Sequence, residues 1–309
     1  MSERMRAFRG MFGGVAVLLW VVVLSPQVRR PESTFGQIAC AKCDAWNEPH
    51  DPFKVYGNTY YVGTAGLSSV LIASPDGLVL IDGALPQSVP QIAAHIARLG
   101  FDPSQVKLIL DSHAHFDHAG GIFLLQSMTH ATVAASGPSA DGLESGHNLP
   151  GDPQYGIRPS DFRPVAHVRR VADGEVLRVG ALAITAHLTA GHTPGSTTWV
   201  WQSCEGARCL NVVYADSLTA VSADGYRFTG DATHPGIEAS FRRSIDVVAA
   251  LPCDVLLTPH PEASHLFERL AHGGPDAFVD PAACRALAAD ARAGLDSRIA
   301  DEQRHKKGS

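Results

Sequence analysis

Residues 111–121 read Asp-Ser-His-Ala-His-Phe-Asp-His-Ala-Gly-Gly, so His113, His115, Asp117 and His118 fall within one six-residue stretch. His113 and His115 are two apart, and an extended backbone sends both side chains to one side. Asp117 and His118 follow where the chain turns and can aim at a second centre. Neutral imidazoles with a carboxylate are a ligand set that suits zinc. Two such ions side by side would turn water into a nucleophile at neutral pH and clamp a reacting carbonyl. A lone histidine beside an apolar strand is usually a hydrogen-bonded core or surface residue. Four such groups in so short a stretch are costly to bury without a cation, which favours a metal.

The elements around this stretch have to position it. The apolar run Val106 to Leu110 reads as a buried strand that ends in the metal-binding loop, and Gly120-Gly121 opens a helix running to about Met128. Two further histidines stand just past strand ends. His192 sits in Thr189-Ala190-Gly191-His192-Thr193-Pro194-Gly195-Ser196, after a strand Leu182 to Leu188, and would supply a third nitrogen to the first metal. His260 sits in Pro259-His260-Pro261, after a buried strand Asp254 to Thr258.

Upstream, Tyr56 to Thr64, Ser68 to Ser74 and Leu78 to Asp82 are short β-rich runs, with Pro75-Asp76-Gly77 as a turn. Ile92, Ile96 and Leu99 mark an amphipathic helix Val89 to Leu99 stopped by Gly100, with His95 read as a surface histidine. Further strands are expected at Ala131 to Ala135, His167 to Val171, Val176 to Val179, Thr197 to Gln202 and Leu210 to Tyr214. Residues 137–165 have no period and are rich in Gly, Pro, Ser and Asp, so a long loop, functional or disordered, is expected, with His147 and Gln154 as its substrate-contact candidates. His187 reads as structural, and His265 as facing elsewhere. Ile237, Phe241, Ile245, Val248 and Leu251 mark a second helix, and an Ala/Arg/Leu-rich helix runs from Asp280 towards Ala300. Strands with helices interposed in each half predict an α/β fold: two mixed sheets packed face to face, helices outside, metal loops clustered at one edge.

The chain has 309 residues, 45% hydrophobic and 18% charged, enough for a sizeable core in one large or two ordinary domains. The net charge of -6 is spread out, and no basic patch points to nucleic acid. Arg4, Arg6 and Arg9 precede an apolar run from Met11 to Leu24 of about fourteen residues, too short for a comfortable membrane span. Residues 1–26 therefore read as an export signal, with the cleavage site open and a retained anchor as the alternative. Ile38-Ala39-Cys40 lies too far beyond the apolar run for a lipoprotein signal. Residues 27–53 read as a loop-rich arm and 54–303 as the catalytic domain. Six cysteines permit fifteen full pairings. Cys204 and Cys209 are spaced for a hairpin bridge, and Cys253 and Cys284 could tie the last strand to the last helix. Cys40 and Cys43 remain as a CxxC, read as a local bridge or free thiols.

His113-x-His115-x-Asp117-His118, Gly191-His192-Thr193-Pro194-Gly195 and Thr258-Pro259-His260 resemble the metallo-β-lactamase superfamily across residues 54–300. Tyr214-Ala215-Asp216-Ser217-Leu218, Thr258-Pro259-His260-Pro261 and the placing of Cys253 and Cys284 in an exported chain resemble its subclass B3. The resemblance implies an αββα sandwich. It implies two zinc ions, the first held by His113, His115 and His192, the second by Asp117, His118 and His260. Ser217 stands where other subclasses have a cysteine ligand, and Ser217 and Thr219 become candidates to meet a substrate carboxylate. The implied activity is β-lactam hydrolysis, with hydroxide generated by the zinc pair as nucleophile and Asp117 orienting it, giving antibiotic resistance in the periplasm by a monomer. Asp82, ending a neighbouring strand, is the candidate acceptor behind a ligand histidine. Ala215-Asp216-Ser217 can also be aligned with the bridging aspartate of thiolester and phosphoester hydrolases; the lactamase register, with Asp216 structural, is preferred. The rival readings are a lactone or thiolester hydrolase using the same metals, and an exported zinc-binding protein without activity.

Overall fold

In the strand Gly77–Ile81, Leu78 and Leu80 belong to one apolar cluster while Val79 and Ile81 belong to another, and all are buried. A strand with both faces apolar must lie between two layers, and the computed structural model, which describes residues 36–232 and 234–307, places it there. The candidate export segment lies outside the described residues.

Seven strands form the first sheet in chain order: β1 (Phe53–Tyr56), β2 (Thr59–Tyr61), β3 (Val70–Ser74), β4 (Gly77–Ile81), β5 (Val106–Leu110), β6 (Thr132–Ser136) and β7 (Arg169–Val171). Pairing is antiparallel from β1 to β4 and parallel from β4 to β7. The second sheet holds β8 (Val176–Val179), β9 (Leu182–Leu188), β10 (Thr197–Glu205), β11 (Arg208–Tyr214) and β12 (Val255–Leu257), in the order β12-β11-β10-β9-β8. Only β11 and β12 pair in parallel there. The helices are α1 (Cys43–Trp46), α2 (Val89–Arg98), α3 (Phe116–Ala119), α4 (Ile122–Thr129), α5 (Gly137–Ser145), α6 (Glu238–Ala250), α7 (Leu266–His272) and α8 (Ala283–Lys307).

Side-chain alternation sorts the core into three layers. Leu80, Ile109 and Val133 meet Ile92 and Ile96 of α2 and Ile122 and Leu125 of α4. Val79, Ile81 and Leu110 meet Trp199, Val212, Tyr214 and Leu257 between the sheets. Val213 and Leu256 meet Phe241, Ile245 and Val248 of α6 and Leu295 of α8. The architecture is therefore helix, sheet, sheet, helix. Because β10 is antiparallel to both β9 and β11, the C-terminal ends of β9, β11 and β12 share one edge. Thr197 N–H donates to Ser112 O at 2.9 Å and Tyr214 Oη donates to Asp82 at 2.7 Å, which brings the ends of β4 and β5 to that same edge.

Several expectations need correction. Tyr56 to Thr64 is not one strand, because Gly57, at φ 52°, turns it into a hairpin. A Cβ there would stand 2.6 Å from Ser203 Oγ, so only glycine fits the turn. The segment 137–165 is not structureless: Ser136 accepts from Ser139 N and Pro138 fills the first turn of α5. Its Gly, Pro and Ser content hides a helix whose cap and first-turn proline are both present in the sequence. The loop-rich arm contains α1 and a Cys40–Cys43 bridge. His95 is buried rather than on the surface, with Nδ1 2.9 Å from Val62 O. It lies three residues after Ile92, on the apolar face of α2. Cys204–Cys209 is bridged as its spacing indicated, and Cys253–Cys284 is bridged as well, tying the chain at β12 to α8.

Candidate metal centre

The stretch after β5 leaves the sheet over Asp111 and Ser112, both fully buried. Ser112 is fixed by Asp82, which accepts its N–H and its hydroxyl at 2.7 Å each. Asp111 accepts Ser139 Oγ at 2.7 Å, and its carbonyl accepts Trp199 Nε1 at 3.1 Å. From this base the chain does not stay extended. His115 N–H donates back to His113 O at 3.0 Å, closing a three-residue turn. The turn brings the two rings to a centroid separation of 4.7 Å. Asp117 and His118 then lie in the single turn of α3.

His192 comes from the loop after β9, which Thr189 N–H closes on Ser196 O at 2.8 Å. Gly191 is required there, since a Cβ would collide with the Phe241 ring of α6. His260 follows β12. Two groups of potential ligands result: His113, His115 and His192, and Asp117, His118 and His260, with ligand atoms in each group within 4.8 Å of one another. His118 Nε2 and His260 Nε2 each stand 3.4 Å from Asp117 Oδ2. A tetrahedral zinc site with bonds of about 2.0–2.1 Å has ligand–ligand edges of about 3.3–3.4 Å, so the spacing fits a shared cation. His113 and His118 are neighbours across the groups, with ring centroids 4.6 Å apart.

Hydrogen bonds assign the other ring nitrogen of four of the five histidines, while His118 Nδ1 is buried with no protein partner. His113 Nδ1 lies 2.7 Å from Asp216 Oδ1, His115 Nε2 lies 3.0 Å from Asp152 Oδ2, and His192 Nδ1 lies 2.9 Å from Thr219 O. His260 Nδ1 lies 3.2 Å from Gly66 O. His113 Nε2 is buried and has no protein partner. Metal-binding histidines show this division of labour, one nitrogen held from behind and the other presented to the ion. Asp82, expected behind a histidine, instead holds Ser112 and Tyr214; Asp216, Asp152 and two backbone carbonyls take that role.

The electrostatics fit a cation. Burial drives the His113 and His118 rings well below their ordinary range, and holds His192 at about 3, so all three stand as neutral ligands. Burial would raise Asp117, but His118 and His260 hold it well below the usual carboxylate range. Burial pushes Asp216, behind His113, up to about 6 and Asp82, behind Ser112, up to about 7, the response of carboxylates buried without compensating positive charge.

A groove of about 1050 Å³ opens over both groups. Of the residues named from sequence, Gln154, Ser217 and Thr219 line it. Gln154 Nε2 stands 3.3 Å from His192 Nε2, directly over the first group. Thr219 Oγ1 is 3.1 Å from His192 Nδ1, so Thr219 faces that histidine as well as the groove. His147 is exposed and bonded to Asn148 O, outside the groove; His187 is half-buried on β9; His265 is exposed against Glu268. Asp216 is not in either ligand group, and its Oδ1 meets the back of His113. Asp152, Gly66 and Trp46 were not legible: each acts across more than 35 residues of chain, and none has a periodic or motif signal.

Sandwich and site together define a metallo-hydrolase, and the two ligand groups at the shared sheet edge point to a metal cofactor. A sequence model of the metallo-beta-lactamase superfamily matches residues 63–200. The solved structure of Rm3 metallo-beta-lactamase is 53% identical, spans 86% of this chain and 99% of its own, and superposes with a TM-score of 0.83. MEM-A1, a subclass B3 metallo-beta-lactamase from a soil metagenome library, is 50% identical over 84% of this chain and 99% of its own, with a TM-score of 0.82. A ribonuclease of Thermus thermophilus is 34% identical over 49% of this chain, which spans only 35% of that relative's length. The chain belongs to the metallo-β-lactamase superfamily, and its solved relatives include subclass B3 enzymes.

Proposed function

We propose that the protein hydrolyses the amide bond of β-lactam antibiotics, penicillins, cephalosporins and carbapenems, using two zinc ions per chain, and so confers resistance. The observation that carries this is the pair of ligand groups side by side on the floor of one groove, in a chain similar over most of its length to two β-lactamases. His113, His115 and His192 hold the first ion, and Asp117, His118 and His260 the second. When bound, such ions lower the pKa of water to about 7 and polarise a carbonyl.

The chain's own residues do the rest. Asp117 stays deprotonated beside His118 and His260, so it is at once a ligand and an acceptor that orients the attacking water. Asp216, Asp152, Thr219 and Gly66 fix ring directions, which favours pre-positioned ligands over ones that must reorganise. Ser217 and Thr219 at one wall offer hydroxyls to the substrate carboxylate, and Gln154 offers its amide over the first ion. Each needed ligand comes from one chain, which supports a working monomer.

All six cysteines are bridged among the described residues, as in an oxidising compartment. No described helix is long and apolar enough to cross a membrane. The bridges support export to the periplasm with residues 1–26 as the signal. The test is the purified protein with zinc, assayed on a penicillin, a cephalosporin, a carbapenem, a lactone and a thiolester, with and without chelator. Chelator-sensitive turnover of the β-lactams is expected; turnover of the lactone or thiolester alone would replace this reading with the rival hydrolase.

A further inference from the structure

His260 is unlike the other ligands. Its side chain is 30% exposed, where those of His113 and His118 are 0% and 1% exposed. The core does not confine its ring, so its direction depends on the few groups that touch it. One is the Gly66 carbonyl, 3.2 Å from Nδ1. Another is the indole of Trp46, with ring centroids 5.2 Å apart and planes at 43°.

These two residues are themselves locked together. Gly66 N–H donates to Trp46 O at 3.2 Å, and Thr64 Oγ1 donates to the same carbonyl at 2.5 Å. A Cβ on residue 66 would stand 2.6 Å from Trp46 Cδ1 and 2.7 Å from its Cα. The second contact is backbone, so no rotamer relieves it; only glycine lets the indole lie where it touches His260. Ser68 N–H donates to Pro259 O at 2.8 Å, stitching this loop to the residue before the ligand.

Trp46 is also held from its own side. The Cys40–Cys43 bridge closes the turn that leads into α1. Beyond Trp46, Asn47 is tied to α2, its side chain accepting Ser88 Oγ at 2.6 Å and its carbonyl accepting Gln91 Nε2 at 2.9 Å. A ring anchored at both flanks is a rigid wall, which is what a supporting group for a ligand must be.

We propose that Trp46 and Gly66 are positioning residues for His260, so that the N-terminal arm completes the second half of the metal centre. The inference rests on the reading of the two groups as metal half-sites. Groups that orient a ligand from behind change metal affinity by about 10–100-fold when removed, and the loss should fall on the half-site that contains His260.

The experiment compares metal-free wild type, Trp46→Ala, Trp46→Phe and Gly66→Ala by titration with Zn²⁺ against a chromophoric chelator, which yields two stepwise affinities. Thermal unfolding of each metal-free protein checks its fold. The expected result is two equivalents for wild type, and a loss of about 10–100-fold in the weaker affected step for Trp46→Ala and Gly66→Ala with the other step unchanged. Trp46→Phe, which keeps a ring against His260, should recover most of the loss. Wild-type affinities in both Trp46→Ala and Gly66→Ala, or equal losses in both steps, would overturn the inference. If Gly66→Ala fails to fold, the Trp46→Ala and Trp46→Phe pair decides. A wild type that takes up fewer than two equivalents overturns the two-metal reading itself, and the inference with it.

Discussion

Asp152 is the sharpest single test of how the first ligand group is built. Its Oδ2 lies 3.0 Å from His115 Nε2, with both side chains nearly buried at 7% and 6% exposure. Its Oδ1 accepts Gln154 N–H at 2.7 Å. Asp152→Ala removes a charge-assisted hydrogen bond of about 1.5–3 kcal/mol and leaves a buried imidazole nitrogen without a partner. The expected loss of 10–100-fold in metal affinity corresponds to about 1.4–2.7 kcal/mol, the same range reached from the affinity side. Asp152→Asn keeps an oxygen at this position and should lose less. The proton balance adds a second signature. Burial lowers His115, but the Asp152 hydrogen bond and the charges of Asp152, Asp117 and Asp216 together outweigh it and hold the ring above its ordinary value, so in the wild type a proton competes with the metal as pH falls. Without Asp152, burial is opposed only by the charges of Asp117 and Asp216, the ring's hold on that proton weakens, and the wild-type advantage narrows at lower pH. Competition titrations at several pH values read both effects. Wild-type affinity in Asp152→Ala, or a gap that widens as pH falls, would refute the reasoning.

Three further outcomes are expected. Asp216→Asn should weaken only the half-site containing His113, since Oδ1 meets that ring from behind at 2.7 Å; equal loss of both metals would mean that Asp216 bridges them. Glu302, almost fully buried on α8, accepts Phe228 N–H, Thr229 N–H and Thr229 Oγ1, which together hold its carboxyl below its ordinary 4.5 against the raising effect of burial. A lowered folded-state value stabilises above 4.5 and is lost as pH falls through it, so Glu302→Gln should cost about 1.5–3 kcal/mol at neutral pH and nothing in acid, by denaturant melts. Removing the Cys253–Cys284 bridge, which closes a separation of 31 residues between the start of β12 and α8, should cost about 3–4 kcal/mol in the same melts.

Much of this was legible locally. The ligands lie in short motifs at strand ends, and an apolar run followed by clustered histidines announces itself within a dozen residues. The layers were legible because β4, β5 and β11 alternate between two buried faces. What escaped was whatever depends on distant pieces of chain. Asp152 is one carboxylate in a stretch of Gly and Pro, and only the fold carries it 37 residues back to His115. Trp46 reads as an aromatic in an arm until the 64–68 loop and His260 close on it. The turn at His113–His115 replaced an extended backbone because a hydrogen bond between residues two apart leaves no pattern in residue types. His95 was misread by ignoring helical phase, an error the sequence itself could have corrected.

The most direct measurement is carbapenem hydrolysis by chelated protein as zinc is returned in known amounts, alongside His192→Ala and His260→Ala. The expected result is no turnover without metal, recovery that saturates at two equivalents in the wild type, and a lower bound-metal count in each variant. Turnover that survives chelation, or a bound-metal count unchanged by both substitutions, would contradict a centre built from these two groups of ligands.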